Sequence, residues 1–75
     1  MKAKIIKMGA MGADIQDIQK LLQKTGSSIK VTGVFGIGMY SAVKAFQRKN
    51  GLKETGEIDT ATLKKLNTFK TSKRK

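Results

Sequence analysis

Apolar residues recur along this chain with the period of an α-helix in three separate stretches. Ile15, Ile18, Leu21 and Leu22 share one face of a segment from about Asp14 to Lys24, with Gln16, Asp17, Lys20 and Gln23 on the other. Asp14 or Asp17 puts negative charge in its first turn, where the helix dipole favours it, and Thr25-Gly26 ends it. Met39, Ala42, Val43 and Phe46 mark a second helix, starting near Ile37 to Met39 and continuing to Asn50, with Lys44, Arg48 and Lys49 outside. Asn50-Gly51 is its stop signal, and Leu52 is placed to fold back onto the last turn. A third helix opens at Asp59 as N-cap, and Ala61, Thr62, Leu63 and Leu66 carry it to about Asn67. Phe69 either packs at its end or frays with the basic tail. Ser27 to Val31 reads as irregular or weakly extended, with Ile29 and Val31 alternating toward the core. The pattern predicts an all-α fold: a compact three-helix bundle with two structured glycine-containing loops.

Those two loops repeat one design. Thr32-Gly33-Val34-Phe35-Gly36 and Thr55-Gly56-Glu57-Ile58-Asp59 have the same order of turn residues and apolar anchor, each just before a helix. Phe35 and Ile58 are expected to plug the core, and Gly33 and Gly56 to need positive φ. The glycines from Gly33 to Gly38 do not make a phosphate loop: the glycine-lysine-serine/threonine ending is missing and the dinucleotide spacing is not met.

Composition narrows the chemistry. Seventy-five residues make one small domain, with no disulfide to support it because cysteine is absent. Histidine is absent too, which removes the commonest general base and metal ligand, and the carboxylates are Asp14, Asp17, Glu54, Glu57 and Asp59. The chain is therefore expected to be no enzyme, with no catalytic residue, metal or cofactor. The net charge of +11 is uneven: Lys2, Lys4, Lys7, Lys70, Lys73, Arg74 and Lys75 supply seven charges from the two ends. This divides the chain into a basic arm over 1–7, a body over 8–67 and a basic tail over 68–75. Such arms favour a polyanion, whether nucleic acid, anionic lipid or wall teichoic acid, or serve as solvated tails. No apolar run approaches the ~20 residues of a membrane span. Ile5-Ile6 followed by Lys7 falls short of the ~7–15-residue apolar stretch of a secretory signal.

Gly12, Asp14, Ile15, Ile18-Gln19, Leu22, Gly26, Gly33, Phe35-Gly36, Ala42-Val43, Phe46-Gln47, Gly51-Leu52, Gly56, Asp59, Thr62 and Leu66 stand in one register. In this order they resemble the small peptidoglycan-binding domain found beside many bacterial and phage cell-wall hydrolases, over about Met8 to Asn67. Thr32 stands where that family's turn usually has aspartate, Met39 where threonine commonly opens the second helix, and Thr25 and Ser27 at places often apolar and aromatic. The first departure hands the turn's hydrogen bonds to a hydroxyl, and the second removes a cap or leaves it to a neighbour.

The resemblance implies non-catalytic binding of peptidoglycan, glycan or stem peptide, that targets or anchors a partner; the chain is then phage-encoded or a fragment of a wall hydrolase. Its location would be the cell wall or the secreted fraction as part of a longer or delivered protein, with a cytoplasmic stage before release as the alternative. Candidate ligand contacts are Tyr40, at the edge of the buried face with a wet hydroxyl, and Lys44 and Arg48, one turn apart and suited to stem-peptide carboxylates. Gln19 and Gln47 are the candidate amides, against a structural reading in which they hydrogen-bond loop backbone. Phe35 and Phe46 read as core. Two other functions stand beside this one: a small basic nucleic-acid-binding protein, whose duplex binding would be non-specific and salt-sensitive, and a structural interaction module of a phage particle.

Overall fold

The computed structural model describes residues 5–70. Three helices form where the apolar period predicts them: α1, Ala13–Lys24; α2, Ile37–Lys49; and α3, Thr60–Lys70. The fold is an all-α three-helix bundle in which α1 lies against both α2 and α3. Ile15, Ile18, Leu21 and Leu22 of α1 meet Met39, Val43 and Phe46 of α2 and Leu66 of α3, all buried. The loop anchors Phe35 and Ile58, each 1% exposed, fill the space beneath the helices. Burying a side chain of this size contributes about 1.5–3 kcal/mol, so the two loops hold a sizeable share of a small core.

The helix stops follow from local hydrogen bonding. After α1, the Ser27 N–H reaches the Leu22 carbonyl at 3.1 Å, and the Thr25 hydroxyl donates to the same oxygen at 2.7 Å. After α2, the Leu52 N–H bonds the Gln47 carbonyl at 2.8 Å, and Asn50 Nδ2 donates to the Phe46 carbonyl at 2.9 Å. Both ends thus use otherwise orphaned carbonyls, and Leu52 folds back onto the core as expected. Asn50 caps α2 rather than ending inside it.

Four details depart from the sequence pattern. Helix α3 runs to Lys70 instead of Asn67, because Phe69 packs edge-on against Phe46 with ring centroids 6.0 Å apart and extends the apolar face by a turn. Ile29 packs against the core, whereas Val31 is half-buried outside that cluster. Ala61 is exposed, its place in the core taken by Thr62. The boundary at residue 7 also cuts through the folded body. Ile6 and Ile58 exchange both backbone hydrogen bonds, at 3.0 and 2.8 Å, in an isolated antiparallel bridge, and Ile6 packs on the core. A second bridge pairs Met11 with Val34. The Gly9 N–H bonds the Phe35 carbonyl, the Phe35 N–H bonds the Ala10 carbonyl, and the Gly12 N–H bonds the Gly33 carbonyl, each at 2.9 Å. The segment from Ile6 to Gly12 is therefore a clasp that ties both loops to the bundle. Residues 1–4 of the expected arm and 71–75 of the expected tail lie outside the described residues.

Candidate ligand-binding surfaces

Each glycine loop is held by a glutamine from the preceding helix. Gln19 of α1 accepts the Thr32 and Gly33 N–H groups on Oε1 at 2.8 and 2.9 Å, and its Nε2 donates to the Val34 carbonyl at 3.1 Å. Gln47 of α2 accepts the Gly56 N–H at 2.9 Å, and its Nε2 donates to the Glu57 carbonyl at 2.9 Å. The threonine of each loop closes a small turn, with the Val34 N–H on Thr32 Oγ1 at 3.2 Å and the Glu57 N–H on Thr55 Oγ1 at 3.1 Å. The hydroxyl thereby does what the family's aspartate would do in an Asx turn. These are two copies of one corner: glutamine post, threonine turn, glycine and apolar plug.

The copies differ at the helix that follows. Asp59 caps α3, accepting the Thr62 N–H on Oδ1 at 2.9 Å. Thr62 is buried, and its hydroxyl oxygen also accepts Gln47 Nε2 at 2.9 Å. Bonding from the Thr62 hydroxyl and then from its backbone N–H holds the Asp59 carboxyl below its ordinary pKa of 3.8. At the matching place Gly36 caps α2 without a side chain, and no acid stands in the first turn. The missing side-chain cap is thus due to Gly36, while Met39, the third residue of α2, is buried in the core.

Replacing Asp59 by alanine is expected to cost about 1 kcal/mol, the usual loss for an N-cap, measurable by urea unfolding. Since the folded pKa lies below 3.8, the carboxylate adds stability above that value. The contribution disappears as pH falls through the depressed pKa. The gap between parent and Asp59→Ala should thus close on acidification below pH 3.8.

The residues proposed from sequence as ligand contacts separate into two groups. Gln19 and Gln47 are 2% and 0% exposed and their amides are engaged by the corners. Gln47 has no surface to offer a ligand, and Gln19 reaches one only as the floor of a groove. Tyr40, Lys44 and Arg48 do form a stripe one turn apart along α2. Tyr40 is half-buried with its ring against Gly56, and Lys44 Nζ lies 5.5 Å from the ring centroid. Arg48 Nε pairs with Glu54 Oε2 at 3.3 Å on the surface. Each side chain of the stripe is thus engaged by a neighbour of its own: Tyr40 by Gly56 and Lys44, and Arg48 by Glu54.

A recess exists elsewhere. A groove of about 380 Å³ opens between the 28–34 loop and the start of α2. Its walls are Ser28, Ile29, Lys30, Thr32 and Val34 on one side and Gly36, Gly38 and Met39 on the other, above Gln19. This size falls at the small end of the ~300–1,000 Å³ typical of ligand pockets. Sequence reading did not find these residues, apart from Gln19. The visible signals were a lysine between Ile29 and Val31 and two glycines flanking Ile37, which thin the wall of α2.

Comparison with known proteins fits this geometry. The peptidoglycan binding domain family model matches residues 11–66, which include all three helix starts and both corners. The chain belongs to that family. Among its relatives, the spore cortex-lytic enzyme of Bacillus subtilis (strain 168) is 41% identical over 61 residues, 80% of this chain and 20% of that enzyme. The SleB N-terminal domain superposes with a TM-score of 0.82 at 38% identity, over 87% of this chain and 90% of that one. The fused Zn-dependent amidase/peptidase/peptidoglycan-binding domain-containing protein of Clostridium acetobutylicum gives 0.85 at 35% identity, over 88% of this chain and 30% of that one. This family member spans 14–23% of the length of the curated relatives it matches.

Proposed function

We propose that this domain binds bacterial peptidoglycan without catalysis, and so holds a partner at the cell wall. The observation that carries the reading is the family match over 11–66, which takes in the corners that shape the groove. Its relatives include proteins named as cortex-lytic and as amidase or peptidase, of which the matched part is one module. A binding role suits a sequence with neither histidine nor cysteine to serve as base, nucleophile or ligand. No helix among the described residues is long and apolar enough to cross a membrane.

The charge of +11 adds a second, sequence-independent attraction to anionic wall polymers such as teichoic acids. A single small groove binds weakly, and coupling to a partner raises the effective concentration at the wall. The test is co-sedimentation of the full chain with purified sacculi, with and without teichoic acid. We expect pelleting with bare sacculi to persist in about 1 M salt, where the Debye length is near 3 Å. Pelleting only with anionic walls at low salt would reduce the function to cationic adhesion.

A further inference from the structure

The chain has four aromatic rings, three phenylalanines and one tyrosine. Phe35 and Phe46 are 1% and 3% exposed, and Phe69 packs edge-on to Phe46. Tyr40 lies against Gly56, with the Lys44 ammonium 5.5 Å from its centroid. A pyranose stacking on Tyr40 would compete with that ammonium. No aromatic residue lines the groove. Recognition of a glycan face commonly uses a ring laid against the apolar side of the sugar, as amphipathic aromatics supply both area and a wet edge. Here every ring is engaged in the fold.

The groove carries a different chemistry. Lys30 is exposed at its rim and makes no ion pair among the described residues. Ser28 adds a hydroxyl, that of Thr32 being taken by Val34 and Gln19, and Ile29, Val34 and Met39 add small aliphatic surface. A cation, a hydroxyl and aliphatic walls complement a short acidic peptide with methyl side chains. We infer that the wall ligand sits in this groove, and that the part recognised is the alanine- and γ-glutamate-bearing stem peptide rather than the glycan. Lys30 meets a peptide carboxylate, the Ser28 hydroxyl meets an amide, and Ile29, Val34 and Met39 take the methyl groups. This inference rests on the wall-binding function proposed above and adds the place and the ligand class.

Gly38 gives a way to close the groove without harming the fold. It lies in the first turn of α2, its φ is not in the left-handed region, and a Cβ there meets nothing within 4 Å. Gly38→Leu therefore fills the groove while replacing a poor helix former with a good one. Lys30→Gln removes the cation from an exposed site.

The experiment pairs two readouts on the full chain. Amide chemical shifts are followed during titration with a stem pentapeptide carrying alanine and γ-glutamate, and separately with an N-acetylglucosamine tetramer. Sacculus pelleting is measured for parent, Lys30→Gln and Gly38→Leu, with thermal unfolding as the fold control. We expect the peptide to shift residues 28–34 and 36–39 and the sugar to shift neither set. Lys30→Gln should weaken peptide binding at least threefold, and Gly38→Leu at least tenfold, with the melting temperature of Gly38→Leu equal to the parent's or higher. Parent sacculus binding that both variants retain in full would overturn the groove and leave the wall-binding function standing. Tetramer shifts at Tyr40 and Lys44 would overturn the peptide assignment. Failure of the parent to pellet with any sacculus would overturn the function itself, and this inference with it.

Discussion

Replacing Gly56 with alanine should cost more stability than any other single methyl added to a loop of this domain. Gly56 is buried with φ +79°, and a Cβ there would come within 2.7 Å of Tyr40 Cδ1 and 2.9 Å of Cζ. The left-handed backbone costs an L-residue about 1–2 kcal/mol, and forced overpacking typically adds about 1–3. The sum, about 2–5 kcal/mol, is a large share of the roughly 4–11 kcal/mol expected for a chain of this size. The melting temperature should fall by about 10 °C or more, at 4–8 °C per kcal/mol for small domains.

Gly33 is the internal control. It occupies the same turn position at φ +84°, but its added methyl would meet Gln16 at 3.2–3.3 Å, a flexible side chain that can move. Gly33→Ala should therefore show little beyond backbone strain. Removing the ring by Tyr40→Ala in the Gly56→Ala background should recover part of the loss. A coupling of about 1–3 kcal/mol would match directly contacting residues. Equal unfolding free energies for Gly56→Ala and Gly33→Ala would refute the role given to Tyr40.

Gln47→Leu is the second large effect. The substitution keeps bulk at a site that is 0% exposed but deletes both halves of the amide. The Gly56 N–H loses its acceptor, and the Glu57 carbonyl and the Thr55 and Thr62 hydroxyls lose a donor. Each buried group left unpaired costs about 1–3 kcal/mol, partly offset by leucine's own burial, so we expect a net loss of about 2–4. Hydrogen exchange should show the Gly56 and Ile58 amides losing protection together while α1 keeps its own. Gln47→Glu gives a sign test. A carboxyl buried here has its folded pKa raised above the unfolded value of about 4.3, so the variant is least stable at neutral pH. Its deficit relative to the parent should shrink as pH falls through that raised value. A deficit that widened on acidification would contradict the donor role assigned to Nε2.

Much of this architecture is written locally. Ile15, Ile18, Leu21 and Leu22 announce α1 because a helix stripe is periodic. Asn50-Gly51-Leu52 and Asp59 announce their helix ends because capping depends on a few adjacent residues. The repeated Thr-Gly-x-apolar turn is legible for the same reason, and so is the structural reading of Gln19 and Gln47. The clasp was not. Ile6 and Met11 each form a single-residue bridge, which leaves no alternation to detect and depends on partners 52 and 23 positions away. The groove escaped notice for another reason: half of it is made by what Gly36 and Gly38 lack, and Lys30 gains meaning only when the loop is laid beside α2. The stripe of Tyr40, Lys44 and Arg48 follows from helical spacing alone, but their engagement with Gly56 and Glu54 depends on a loop that follows the helix.

The clasp also sets how the domain carries load. Tension entering from the N-terminal side reaches the bundle first through the two hydrogen bonds shared by Ile6 and Ile58, arranged in series ahead of the Gly9, Ala10 and Gly12 contacts. Under pulling, the clasp would part from the Gln47 corner before it parts from the Gln19 corner, while Gln47 still holds its own loop. The hydrogen bonds around Phe35 and Gly33 would then be the last of the clasp to part.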